Sequence, residues 1–127
     1  MATLTANRVP TALHVTLWIG QAALAAMFAM AGAQKLVNTA QFPFPAAFTL
    51  FLGVAEVAGA VGVVVPALTR IKPVLTPVAA GALGLVMILA TAFHLSRGEP
   101  VGLTAGLALV AAFVAWGRAG RAAIRPR

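Results

Sequence analysis

Four long stretches of this chain carry almost no charge, and short basic or proline-bearing segments separate them. Between Arg8 and Lys35 there is no Asp, Glu, Lys or Arg. Between Lys35 and Arg70 the single such residue is Glu56, and none lies between Lys72 and Arg97 or from Val101 to Gly117. In hydrocarbon every backbone polar group must be bonded within the chain, which leaves helices or closed barrels. Each interval can hold an apolar helix of about 17–25 residues, enough to cross about 30 Å of hydrocarbon. The spacing predicts helices over 13–35, 45–67, 76–95 and 100–118, followed by a basic tail over 118–127. The expected fold is all-α: one integral membrane domain over 1–127, built as an antiparallel four-helix bundle.

Composition agrees with that reading. Of the 127 residues 61% are hydrophobic and only 9% are charged, too few charges to coat a soluble domain of this length. The mean hydropathy is +0.99. There is no cysteine, so this chain forms no disulfide and no thiolate metal site by itself.

Local chemistry marks the breaks. "QFPFP" ends the first helix, because its prolines lack the N–H and clash with the preceding turn. Thr76-Pro77 reads as an N-cap followed by a first-turn proline. In "SRGEP", Gly98 supplies a stop and Pro100 a restart.

Charge sets the expected orientation. With four spans both termini share a side with the second connection, and that side holds Arg8, Arg70, Lys72, Arg118, Arg121, Arg125 and Arg127. The other side holds Lys35 and Arg97, partly offset by Glu99. The positive-inside rule then puts both termini in the cytoplasm. The net charge of +7 is read as topology and lipid contact rather than nucleic-acid binding, with the tail "GRAGRAAIRPR" lying on anionic lipid. Ala31-Gly32-Ala33 has the pattern of a signal-peptidase site. The apolar run before it is longer than the 7–15 residues of a signal core, so the first helix is expected to be retained.

A carboxylate in the middle of a span is costly, so Glu56 is the most informative residue. Gly53, Gly59 and Ala60 share its helical face, whereas Phe51, Val54, Val61 and Val65 lie opposite. Small residues admit a neighbouring helix, so the Glu56 face is expected to look into the bundle. Two readings stand: a neutral acid that only bonds a neighbouring helix, or a group that exchanges a proton or binds a ligand. Gln21, Leu24, Phe28, Ala31 and Lys35 form one stripe of the first helix. Counting depth from the helix ends makes Gln21 the expected partner of Glu56, with Lys35 a snorkelling interfacial lysine unless the helices shift. His94 ends the third helix on a stripe with Met87, Ala90 and Thr91, as an interfacial histidine or a proton-handling one. His14 falls at the opposite face, so the two histidines cannot share a metal or haem, and no transition-metal site is expected. Trp18 and Trp116 read as aromatic-belt residues. Gly102 and Gly106 form a weak helix-packing motif.

These residues, taken in order, resemble the DoxX-like family of small four-helix membrane proteins. The resemblance is carried by "FAMAGAQKL", "FLGVAEVAGAVGVVVPAL", "LTPVAAGALGLVMILATAFHLSRGE" and "AWGR", with Lys35, Glu56, Pro66, His94 and Arg118 in sequence. It implies a bacterial plasma-membrane bundle. Some relatives are similar to a subunit of a thiosulfate:quinone oxidoreductase, others associate with thiol- or superoxide-handling proteins, and distant ones act as membrane chaperones. The expected function is an accessory subunit, not a self-sufficient enzyme, that binds a quinone-like or other apolar molecule in a pocket facing the outer leaflet. Glu56, Gln21, Lys35 and His94 would line that pocket, and redox proteins or further copies of the chain would be its partners. The alternative is an assembly factor or chaperone holding a partner protein, and a small-molecule permease ranks below both.

Overall fold

A computed structural model describes residues 9–126. Helix α1 spans Thr11–Val37, α2 Ala46–Thr69, α3 Leu75–Ser96 and α4 Gly102–Ala119, each bound within two residues of the expected one. All four are long and apolar enough to cross a membrane. No strand occurs among the described residues. Arg8 and Arg127, counted with the basic residues of the termini end, lie outside the described residues.

The helices form an antiparallel ring. Helix α1 packs most closely on α2 and α3 on α4, the α2–α3 and α1–α4 seams close the bundle, and the diagonal pairs do not pack. One face of each helix supplies the interior: Leu17, Leu24 and Phe28 from α1, Ala60 and Val63 from α2, Ala80 and Leu83 from α3, Ala111 and Val114 from α4. The outer faces keep Ile19, Phe51, Val54, Leu85, Ile88, Leu103 and Leu109 exposed. A soluble bundle would bury such residues, whereas a lipid-facing surface retains them.

The breaks follow from local chemistry, with two corrections. Helix α1 stops at Val37, a short 3₁₀ turn covers Thr39–Gln41, and α2 restarts directly after Pro45. Gly98 adopts φ 69°, the left-handed conformation that closes the turn after α3. Thr76, however, is not an N-cap: α3 begins at Leu75, and the Thr76 hydroxyl is buried without a hydrogen-bond partner. The Gly102–Gly106 face is not a packing seam within the bundle either. A Cβ added at either glycine would meet nothing within 4 Å.

Two close crossings fix the axial register. A Cβ at Gly32 would lie 2.7 Å from the Gly53 carbonyl oxygen, and one at Gly53 would lie 3.0 Å from the Gly32 oxygen. The α1 and α2 backbones meet there. At the other end a Cβ at Gly117 would come within 2.6 Å of the Leu17 side chain, so α4 approaches α1 closely beside that glycine.

The C-terminal segment folds back. Ala122 is buried, and its N–H donates to the Gly117 carbonyl. Arg70 Nε donates to the Arg125 carbonyl, which ties the tail to the α2–α3 connection. The tail thus lies across the termini end of the bundle, while the Arg121 and Arg125 side chains stay exposed.

Candidate functional site

The Gly32–Gly53 crossing positions the first polar cluster. Lys35 follows Gly32 by three residues and Glu56 follows Gly53 by three, on helices that run in opposite directions. Their Cα atoms are therefore offset along the bundle by about 9 Å, at about 1.5 Å rise per residue. Helical side chains lean toward the N-terminus of their own helix. On α1 that direction takes Lys35 deeper into the bundle, and on α2 it takes Glu56 toward Lys35. Lys35 Nζ comes to 2.8 Å from Glu56 Oε1. The contact is an ion pair outside hydrogen-bond alignment, and Oε1 is buried without an aligned donor. Glu56 is 2% exposed, whereas the Lys35 side chain keeps 15% of its surface open and lies under the Phe42 ring.

The pairing corrects the expected partnership of Glu56 with Gln21. Depth counted from the helix ends ignored both the glycine crossing and the opposed lean of the side chains. Glu56 therefore does not stand alone among apolar groups, and a Gln in its place would take away the carboxyl that faces Lys35. The face itself is as read: Gly53, Glu56 and Ala60 are buried, Gly59 is half-buried against Leu83, and Phe51, Val54, Val61 and Val65 are exposed.

Gln21 belongs to a second cluster near the termini end. Its Nε2 donates to the Val63 carbonyl at 2.7 Å, and its Oε1 accepts from Arg118 Nε at 2.8 Å. Arg118 Nη1 donates to the Ala122 carbonyl at 2.9 Å and lies 3.1 Å from His14 Nδ1. Because a guanidinium only donates, Nδ1 is the acceptor, which places the imidazole proton on Nε2. The guanidinium also lies over the Trp18 ring, 5.4 Å from its centroid. Arg118 is 3% exposed, and its Nη2 is buried with no partner among the described residues.

The topology count treats Arg118 as a surface charge, whereas the structure buries it. A signal was present. Ala111, Val114 and Arg118 fall at i, i+3 and i+7 on α4, and the first two are core residues. Gly117 beside Arg118 marks the close approach that delivers the guanidinium to Gln21, four residues beyond Leu17.

His94 lies at the same end of the bundle as Lys35 but makes a different contact. Its Nδ1 is 2.8 Å from Glu99 Oε1, and Arg97 Nε is 3.5 Å from Glu99 Oε2. These groups hold the Glu99 carboxyl below the usual carboxylate range, the His94 hydrogen bond being the largest cause. An aromatic group joins this corner to the α1–α2 connection: Phe93 packs on Phe44, and Phe44 on Phe48. Lys35, Glu56 and His94 thus share one end, Gln21 joins Arg118 and His14 toward the other, and the two histidines are at opposite ends. Two surface clefts, of about 460 and 580 Å³, flank the folded-back tail at the termini end.

Neither a curated protein nor a solved structure matched the chain significantly. The sequence model of the DoxX-like family does match, over residues 19–117. That stretch contains Gln21, Lys35, Glu56 and His94 and ends one residue before Arg118. With four membrane-spanning-length helices and a match over most of its length, this multi-pass membrane protein belongs to the DoxX-like family.

Proposed function

We propose that this DoxX-like protein is an accessory membrane subunit that binds an apolar molecule with a hydrogen-bonding head, of the quinone class, beside Lys35 and Glu56. The observation that carries the reading is the pair itself. Taking two charges out of water is expensive, and an apolar pair of similar volume packs at least as well, so a retained pair needs a reason beyond stability. The partly open ammonium can donate to a carbonyl oxygen, and Glu56 can take or return a proton as that donation changes. Phe42 would flank a flat ring, and His94 with Glu99 would stand at the rim. Partner proteins would supply electrons, and the chain would hold the head group. The reading carries a bacterial plasma membrane with it, both termini cytoplasmic, because seven of the nine basic residues fall on the termini side.

The test is purification of the full chain in mild detergent, followed by extraction and identification of co-eluting quinone. The control is the double variant Lys35→Gln/Glu56→Gln, which removes both charges and keeps polar side chains of similar size. Quinone on the wild type and its loss from a double variant of unchanged helical content is the expected result. Equal quinone on both proteins, or none on either, would overturn the reading. A second reading, an assembly factor or chaperone, draws on the open Gly102–Gly106 face of α4, which suits a partner helix or a second copy of this chain. A stoichiometric protein co-eluting in place of quinone, and lost from Gly106→Leu, would favour it.

A further inference from the structure

The Arg118 cluster is electrically incomplete. The chain has two acidic side chains. Glu56 is paired with Lys35, and Glu99 with His94 and Arg97 at the far end. The termini end therefore contains no acidic side chain, yet it buries a guanidinium. Among the described residues every acceptor that Arg118 uses is neutral: the Gln21 amide oxygen, the His14 ring nitrogen and the Ala122 carbonyl. These satisfy hydrogen-bonding capacity without cancelling charge, and a buried charge without a counter-charge is costly. Nη2 is buried and has no partner among the described residues.

The larger cleft, of about 580 Å³, lies beside this residue. Arg118 and Lys72 line it, together with Val74, Val78, Ala115 and Ile124. Two cationic side chains among apolar walls from α3, α4 and the tail match an amphiphile with an anionic head. Lys72 is exposed on the α2–α3 connection, at the level of the helix ends where head groups lie. The folded-back tail forms one wall, which gives its burial of Ala122 a purpose besides capping α4. We propose that this cleft binds the phosphate of an anionic phospholipid, with Arg118 Nη2 and Lys72 as donors and the apolar walls holding part of an acyl chain. Arginine suits the task, because a planar fork can hold Gln21 and Ala122 with two of its nitrogens while the third meets a phosphate oxygen.

The experiment uses the full chain in mild detergent with three probes: phosphatidylglycerol, phosphatidylcholine and inorganic phosphate. Native mass spectrometry counts retained lipid, and thermal unfolding reports stabilisation. Retention of phosphatidylglycerol over phosphatidylcholine is expected. Lys72→Gln, an exposed change that spares the fold, should weaken phosphatidylglycerol about fivefold, the equivalent of about 1 kcal/mol for one interfacial cation. Arg121→Gln removes an exposed basic residue that does not line the cleft, and it should change little. Arg118→Gln should abolish the preference; if that variant fails to fold, the contrast between Lys72→Gln and Arg121→Gln still decides. Equal retention of the two lipids, or equal weakening by those two variants, would overturn the site in favour of a diffuse basic surface. Stabilisation by inorganic phosphate alone, sensitive to Lys72→Gln and without lipid retention, would overturn the lipid source and assign the same anion chemistry to a soluble phosphate.

Discussion

The two polar clusters inside this bundle treat a buried charge in opposite ways. Near one end Lys35 and Glu56 meet as opposite charges, and the site is neutral as a whole. Toward the termini end Arg118 is surrounded by neutral acceptors and keeps its charge. Each cluster depends on a glycine at a helix crossing, Gly32–Gly53 for the first and Gly117 for the second. The construction is alike and the electrostatics differ. An ion pair is closed to outside anions but sensitive to the loss of either member, whereas a solvating cage tolerates changes in its neutral members and stays open to a counter-charge. The positive end of the molecule is thus set by what is missing near Arg118 as much as by the surface arginines.

The largest expected effect comes from breaking the ion pair on one side. Lys35→Met leaves Glu56 buried and alone, and unfolding in detergent should show a loss of about 3–5 kcal/mol. Adding Glu56→Gln to that variant should recover most of the loss, because no charge then remains to be compensated. Failure of that rescue would mean that the pair acts through packing rather than charge. Arg118→Met is the matched change at the other cluster. It removes a charge and strands the Gln21 and Ala122 acceptors, for an expected loss of about 1–3 kcal/mol. No second change at His14 should rescue it, since no opposite charge is left behind.

The crossings come next. Gly32→Ala forces a Cβ against the Gly53 carbonyl, and overpacking of this kind costs about 1–3 kcal/mol. Gly117→Ala meets the tips of the Leu17 side chain, which can move, so its loss should fall at the low end of that range. Gly106→Ala faces open space and should stay within about 0.5 kcal/mol of the wild type in thermal unfolding. A large effect there would reveal a partner helix on α4.

The smallest effect is one of pH, at the exposed corner where α3 turns into α4. The Glu99 carboxyl is held below its usual range by His94 and then by Arg97. The stabilisation it brings is present above the ordinary carboxylate pKa and is lost as pH falls through the lowered one. Amide protection across the α3–α4 turn, taken relative to the intrinsic exchange rate at each pH, should therefore fall on acidification through that window, and Glu99→Gln should flatten the response.

Much of this architecture was legible along the chain. Spans show as intervals without charge, breaks as proline and glycine, and the inward face of α2 as small residues spaced around Glu56. Those features are local, because lipid removes the other ways of satisfying a backbone and side-chain direction follows from helical periodicity. The axial register is not local. Whether Glu56 meets Gln21 or Lys35 depends on which glycines of α1 and α2 touch, on the opposed lean of two side chains, and on the length of the lysine stem. Thr76 resembled a cap and proved to be buried within α3, since the turn before it enters the helix one residue earlier. Arg118 looked like one more inside-facing positive charge, and only the packing of α4 on α1 turned it inward to Gln21. The sequence by itself determined how many helices cross the membrane and which face of each is turned inward. The tertiary structure decided which polar groups meet across the seams, because a shift of one helical turn, about 5.4 Å, exchanges every such partner while leaving the pattern along each helix unchanged.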